Sequence, residues 1–225
     1  MKKIYEGKTK SIFEQEPNKL VMYFKDDVTG TGDTVDPGGN DVVGEMPDKG
    51  KSSLNLSVYF FEILKQKGIP THYEKAYIEA GYMVVNKSEP LSLEVICRLK
   101  AYGSFLRRYP FFTEGKKLDN LNYLIEFTVK DDEREDPLIN DEALIKLGVM
   151  KEEELTSVKE TTREVAKIIE KELRQKNLDL IDLKLEFGRV NDKIVVIDEI
   201  SGDCMRVFGE DKSQLSQTEL AKLMG

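Results

Sequence analysis

The chain has 225 residues, 40% of them hydrophobic, enough for one large domain or two small ones packed together. A net charge of −8 argues against a general nucleic-acid or membrane-surface role, so any phosphate site must be a local cluster of Lys and Arg. No apolar run approaches the length of a bilayer span, and the first residues carry no apolar signal region. Two cysteines, Cys97 and Cys204, lie outside any metal-like spacing, so a reducing, cytoplasmic compartment is expected. The single histidine, His72, excludes a multi-histidine zinc site and most Ser-His or Cys-His nucleophile schemes.

Residues 3–13 read as two short strand pieces around Gly7. Lys8 and Lys10 share a strand face, and two ammoniums beside a glycine corner suit a polyphosphate. A hairpin with solvated lysines fits the same residues. A strand at 20–24 leads into 25–50, which is rich in Asp, Gly, Thr and Pro and reads as a mobile lid loop. Residues 52–67 read as a helix with Leu54, Val58, Phe61 and Leu64 on one apolar stripe and Gly68 at its stop. Two short strands follow around Gly81, and 91–98 alternates cleanly, placing Ser92, Glu94, Ile96 and Arg98 on one face. Arg98, Gly103, Ser104, Arg107 and Arg108 then combine arginine forks, a hydroxyl and a glycine turn, as a monophosphate site would. A solvated basic helix start is the other reading. Arg107 and Arg108 cannot both point the same way, so at least one is expected at the surface.

Residues 123–130 alternate again, with Glu126, Thr128 and Lys130 on one side. A short helix over 141–147 ends at Gly148. A long amphipathic helix over 151–176 carries Leu155, Val158, Val165, Ile168, Ile169 and Leu173. At 178–199 a strand alternates Ile181, Leu183, Leu185 and Phe187 with Asp182, Lys184 and Glu186. Turn residues Gly188 and Asn191-Asp192 follow, and a returning strand ends in Asp198 and Glu199. Carboxylates meeting across a hairpin repel unless a cation lies between them, and Mg²⁺ takes such oxygen ligands together with substrate phosphates. Surface ion pairs account for the pattern equally well, and the sequence does not say which of Asp198 and Glu199 faces Glu186. Strands rarely alternate one-to-one with helices, so the expected class is α+β with largely antiparallel sheets. A seam near Pro90 divides lobes 1–90 and 91–225.

Seven pieces in fixed order resemble the SAICAR synthetase family. They are YEGKTK at 5–10, FKDD at 24–27 with TGTGD at 29–33, EVICR at 94–98, GSFLRR at 103–108, KDDER at 130–134 with Asp136-Pro137, DLKLEFG at 182–188, and DEIS at 198–201 with Asp203 and Arg206. The resemblance implies a two-lobed fold related to ATP-grasp and kinase-like nucleotide binders, with ATP between the lobes. It implies a cytoplasmic, ATP-dependent ligase of purine biosynthesis, expected as a homo-oligomer, a dimer. Its small-molecule partners would be aspartate and a carboxyaminoimidazole ribonucleotide, and its cofactors ATP and Mg²⁺. Carried over position by position, Gly7, Lys8, Lys10 and Lys130 belong with ATP, the three lysines also as catalytic groups. Glu186 and Asp198 become magnesium ligands, and Asp33, Arg98, Ser104, Asp182, Lys184 and Arg206 become substrate contacts. On this reading the 1–90 lobe carries the phosphate-contacting lysines and the lid, and the 91–225 lobe the metal carboxylates and the ribonucleotide site. The chain departs from the family pattern at Lys51-Ser52-Ser53, where paired asparagines are usual, and at Ser201-Gly202-Asp203, where Ser-Pro-Asp is common. The extra stretch 36–41 lengthens the lid, and the C-terminal segment is short.

The residues support the same chemistry. A carboxylate is a poor electrophile, and phosphoryl transfer turns its oxygen into a leaving group. Such transfer asks the protein for positioning and charge neutralisation, which lysines, arginines and carboxylate-held Mg²⁺ supply. A small-molecule kinase would share these groups without an aspartate site. A nucleotide-binding regulatory module would tolerate change at Glu186.

Overall fold

The computed structural model of the chain describes residues 1–31, 34–35, 39 and 41–224. In chain order the elements are β1 (Lys2–Glu6), β2 (Lys10–Glu16), β3 (Lys19–Phe24), β4 (Asp27–Thr31), β5 (Thr34–Val35), β6 (Asp41–Glu45), α1 (Lys49–Gln66), β7 (Tyr73–Tyr77), β8 (Tyr82–Asn86), β9 (Glu89–Lys100), α2 (Ser104–Arg108), α3 (Pro110–Thr113), β10 (Asn120–Val129), β11 (Leu138–Ile139), α4 (Asp141–Lys146), α5 (Glu152–Arg174), β12 (Asp179–Val190), β13 (Lys193–Ile197), β14 (Met205–Phe208) and α6 (Gln217–Met224).

These elements form two compact units. The first comprises Met1–Pro90, Gly188–Cys204 and Ser216–Gly225, the second Leu91–Phe187 and Met205–Leu215. Residues 188–204 and 216–225, which the sequence places in the C-terminal lobe, thus join the N-terminal one. Backbone pairing explains the first: Val196 N donates to Pro70 O at 3.1 Å, and His72 N to Val196 O at 2.9 Å. The second joins because α6 packs on α1.

In the first unit an antiparallel sheet runs β1-β2-β3-β8-β7. Val21, Met22, Met83, Val84 and Val85 are buried in its central strands, and α1 lies against it through Leu54, Leu56, Phe60, Phe61 and Leu64. Val58, expected on that stripe, is only half-buried. The start of α1 sits so close to β3 that a Cβ on Gly50 would lie 2.7 Å from the Phe24 carbonyl. Asp48 gives α1 no side-chain cap, and the Asp26 carboxylate instead accepts the Gly50 N–H at 2.8 Å.

Residues 25–50 are not one loop. They contain a small antiparallel sheet ordered β5-β4-β6, with Val28 and Thr29 buried. Val28, Thr29, Thr31, Val35, Val42 and Val43 carry the strand propensity that the intervening glycines and aspartates mask. Asp33, and residues 36–38 and 40 of the expected lid, lie outside the described residues.

In the second unit the sheet order is β11-β10-β9-β12, with β14 also paired to β12. Ile181, Leu183, Leu185 and Phe187 are buried as their alternation predicts, and so are Asp182 and Glu186 on the opposite face. Helix α5 buries Leu155, Val158, Val165, Ile168, Ile169 and Leu173 and packs on β10. Glu152, Glu153 and Glu154 in its first turn and Lys171 and Arg174 in its last complement the helix dipole. Asn140 caps α4 by accepting the Ala143 N–H at 2.9 Å. The chain leaves β12 through Asn191 and Asp192, both at positive φ (49° and 63°), as a tight hairpin turn requires. Gly188, expected in that turn, lies inside β12.

Candidate active site

In the first unit the expected corner forms between β1 and β2. Gly7 N donates to Lys10 O at 2.8 Å, and Lys25 Nζ braces the Gly7 carbonyl at 3.2 Å. Lys8 lies half-buried in this turn. Strand β2 carries Lys10 inward, where its ammonium bonds Asp198 Oδ2 at 2.9 Å and also the Glu199 carboxylate. Burial opposes the Lys10 charge, but Asp198 and Glu199 more than offset it and hold the ammonium well above lysine's ordinary pKa. Of the two adjacent carboxylates, Glu199 is buried and bonded by Ser201, whereas Asp198 is about a quarter exposed (24%) at its side chain. Asp198 is therefore the one able to meet a ligand. Its backbone is left-handed, with φ +66°, which turns the chain sharply at the end of β13.

His72 serves this turn without touching the carboxylates. Its Nε2 lies 3.0 Å from the Asp198 carbonyl, which can only accept, so the ring carries its proton on Nε2. Burial pulls His72 down from 6.5 to about 4. Between those values the unfolded chain binds more protons than the folded one, so stability falls as pH drops from about 6.5 towards 4. The share is about 3 kcal/mol. His72→Gln should lose less stability than the parent between pH 7 and pH 4.5, measured by urea unfolding. Equal losses would count against this account.

A second buried pair lies in the same unit. Lys49, almost wholly buried, pairs with Asp203, which also accepts from Ser53 Oγ at 3.2 Å and Gln217 Nε2 at 3.4 Å. Burial and then the nearby Glu199 charge raise Asp203 against the pull of Lys49. The sequence places Lys49 in the polar stretch 25–50, whereas the structure makes it the first residue of α1. Helical packing at that position buries it.

In the second unit, alternation delivers the expected residues to one sheet face. Asp182 on β12 is register partner of Arg206 on β14, and Glu126 on β10 is partner of Ile96, two residues from Arg98 on β9. Arg98 is 1% exposed and fully oriented. Its Nε bonds Glu126, its Nη1 bonds Asp182 at 3.2 Å, and its Nη2 bonds Ser104 Oγ at 2.9 Å. Arg206 Nη1 donates to the same Asp182 oxygen at 2.7 Å. Gly103, with φ +55°, leaves room for that guanidinium: a Cβ there would lie 3.1 Å from Arg206 Cζ. Arg98, Ser104, Asp182 and Arg206 thus form one cluster, as expected. Glu126, noted only as one residue of a polar strand face, is its unanticipated fifth member.

Two further pairs flank the cluster on β9, β10 and β12. Lys184 donates to Glu94 at 2.7 Å, and Glu94 also accepts from Thr128 at 3.1 Å. Lys130 donates to Glu186 at 2.5 Å. A cavity of about 580 Å³ lined by Phe105, Tyr109, Phe112 and Leu124 shares only Glu126 with the cluster. Cys97 and Cys204 are buried and form no disulfide, and burial pushes the Cys97 thiol up to about 12, so Cys97 is no ready nucleophile.

Among the described residues no three His, Cys, Asp or Glu side chains converge as a metal cage. Mg²⁺ does not require one, since it commonly binds one or two carboxylates with waters and phosphates. Glu186 and Asp198 fit that donor chemistry: each is a carboxylate already balanced by an ammonium, Lys130 for one and Lys10 for the other.

This architecture matches solved structures. A phosphoribosylaminoimidazole-succinocarboxamide synthase from Ehrlichia chaffeensis superposes with a TM-score of 0.85 at 26% identity, over 100% of this chain and 92% of that one. A SAICAR synthetase (Type-2) in complex with ADP superposes at 0.83 with 33% identity, over 94% and 87%. The present α+β chain shares their fold. The family model described as SAICAR synthetase matches residues 3–223. Among curated relatives, the phosphoribosylaminoimidazole-succinocarboxamide synthase of Clostridium tetani is 42% identical across 100% of this chain and 99% of its own length. That of Methanocaldococcus jannaschii is 38% identical, over 92% and 82%. The chain belongs to the SAICAR synthetase family and is an enzyme of it.

Proposed function

We propose that the chain joins aspartate to the carboxylate of 5-amino-1-(5-phosphoribosyl)imidazole-4-carboxylate, converting ATP to ADP and phosphate. The observation that carries this reading is the cluster of Arg98, Ser104, Asp182 and Arg206, two buried guanidinia and a hydroxyl fixed on one face of a sheet. Arg98 has five N–H donors, and three are engaged with the protein, which leaves two for a ligand anion. Asp182 and Lys184 suit the polar ribose and aminoimidazole portion. The names of the relatives and the ADP complex of a family member support the same reaction.

The chemistry runs in two transfers. A carboxylate oxygen of the ribonucleotide attacks the γ-phosphorus, the bond to ADP breaks, and an acyl phosphate forms. The aspartate amine then attacks the acyl carbon, phosphate departs with its oxygen, and the amine gives up a proton. Lys8, Lys10 and Lys130 supply positive charge to the transferring phosphates and to the acyl phosphate. Glu186 and Asp198 would be the carboxylates that hold Mg²⁺, which would supply charge neutralisation at the phosphates. Asp33 is assigned to substrate. Gly7 gives the nucleotide a close approach to backbone. The first unit, with Gly7, Lys8, Lys10 and Asp198, serves ATP, and the second, with Arg98, Ser104 and Asp182, serves the ribonucleotide.

No described helix is long and apolar enough to cross a membrane, and soluble charged substrates fit a cytoplasmic enzyme. The exposed Phe111 and Phe112 support assembly as a homodimer, which light scattering reads as twice the chain mass. ADP release measured with the aminoimidazole carboxylate ribonucleotide should require aspartate for multiple turnovers. Sustained ADP release at full rate without aspartate, with a phosphorylated product, would instead make the chain a kinase.

A further inference from the structure

The sequence offers Arg107 and Arg108 either to a monophosphate site or to a solvated helix start, and the family resemblance assigns neither to substrate; the fold brings Arg108, not Arg107, to the same cluster. Ser104 and Arg108 stand four residues apart on α2 and so share a helix face. Ser104 already bonds Arg98, and Arg108 Nη2 reaches the Glu126 carboxylate at 2.6 Å, the group that also holds Arg98 Nε. One carboxylate therefore aligns two guanidinia. Arg107, one step round the helix, is exposed. The Arg108 Nε is buried and has no hydrogen-bond partner in the structure, although the side chain as a whole is 28% exposed. A buried N–H without an acceptor is unfavourable, and a charged guanidinium N–H strongly favours an anionic oxygen. The cluster brings the guanidinia of Arg98, Arg108 and Arg206 together around the Glu126 and Asp182 carboxylates.

We infer that Arg108 is a further binding residue for the ribonucleotide, its Nε donating to a phosphate oxygen while Glu126 keeps its fork beside that of Arg98. This rests on the proposed reaction, since it takes the ribonucleotide as the anion. Glu126 acts through the two arginines and is a positioning residue.

The test is calorimetric titration of the full-length protein with the ribonucleotide, with the matching nucleoside lacking the 5′-phosphate, and with ATP. Arg108→Gln should weaken ribonucleotide binding about tenfold to a hundredfold, the loss expected for one charge-assisted bond. Nucleoside and ATP binding should not change, so the preference for the phosphorylated ligand shrinks by the same factor. Arg108→Lys keeps the charge but cannot hold Glu126 and a phosphate oxygen in the same fork geometry. It should fall between the parent and Arg108→Gln, and it carries the test if the glutamine variant does not fold. Unchanged ribonucleotide affinity in the folded variants would overturn the inference. So would an equal loss for nucleoside and ribonucleotide. A parent protein that fails to bind the ribonucleotide at all would overturn the proposed reaction instead, and the two failures are distinct.

Discussion

Glu186→Gln is expected to lower kcat/KM at least about a hundredfold while moving the unfolding midpoint very little. Glutamine keeps the volume and one acceptor of the side chain, so β12 packs as before. Lys130, released from its partner, is 44% exposed at its side chain and can turn to water. A partly buried carboxylate is also costly to desolvate, so removing its charge recovers part of what the lost ion pair contributed. Glu186 is the proposed metal ligand, so its replacement removes a negative charge from that site, and the requirement for Mg²⁺ should rise. Steady-state assays across Mg²⁺ concentrations, paired with urea unfolding, separate these effects. Ordinary turnover at limiting Mg²⁺ would remove Glu186 from the metal site.

Arg98→Ala should behave in the opposite way, with stability hit as hard as binding. The guanidinium is buried and bonded to Glu126, Asp182 and Ser104. Removing it leaves two carboxylates inside the second unit with less compensation, a situation that typically costs ~3–5 kcal/mol. Arg108 and Arg206 still bond one carboxylate each, which places the expected loss at the lower end of that range. Ribonucleotide binding should fall below detection, and ATP binding should persist in the protein that remains folded. A guanidinium chloride midpoint matching the parent's would mean that the network contributes little to the fold.

These two positions also mark what the sequence can and cannot reveal. The apolar periodicity of α5 is legible because each of Leu155, Val158, Val165, Ile168, Ile169 and Leu173 answers to one helix face, a purely local rule. The alternation of β9 and β12 is legible for the same reason, and it placed Arg98 and Asp182 correctly on polar faces. Partnerships are not local. Glu126 is 28 residues from Arg98, and Glu199 is 189 from Lys10, so no spacing rule connects them. The family resemblance supplied Asp182 and Arg206 together, whereas residue patterns alone left their register open. The β4–β6 sheet was hidden by its composition: glycine and aspartate dominate the stretch, and the β-branched residues between them were discounted. In α1 Leu54, Phe61 and Leu64 are buried as expected, but the apolar face also takes in Leu56 and Phe60 and leaves Val58 half-buried.

The threading of the backbone has a consequence for how such an enzyme can be divided or inherited. The first unit is assembled from three separate stretches of chain, and the second from two. A gene split after codon 90 would encode an N-terminal product with Lys10 and Lys49 but without Asp198, Glu199 and Asp203, the carboxylates that neutralise them. The Lys10 and Lys49 ammoniums would be stranded in that fragment, and α6, which packs on α1, would be missing. Neither half is therefore a transferable module. A recombination joint at residue 90 would part Lys10 and Lys49 from the carboxylates that neutralise them, whereas a joint that keeps 1–90, 188–204 and 216–225 from one parent would not.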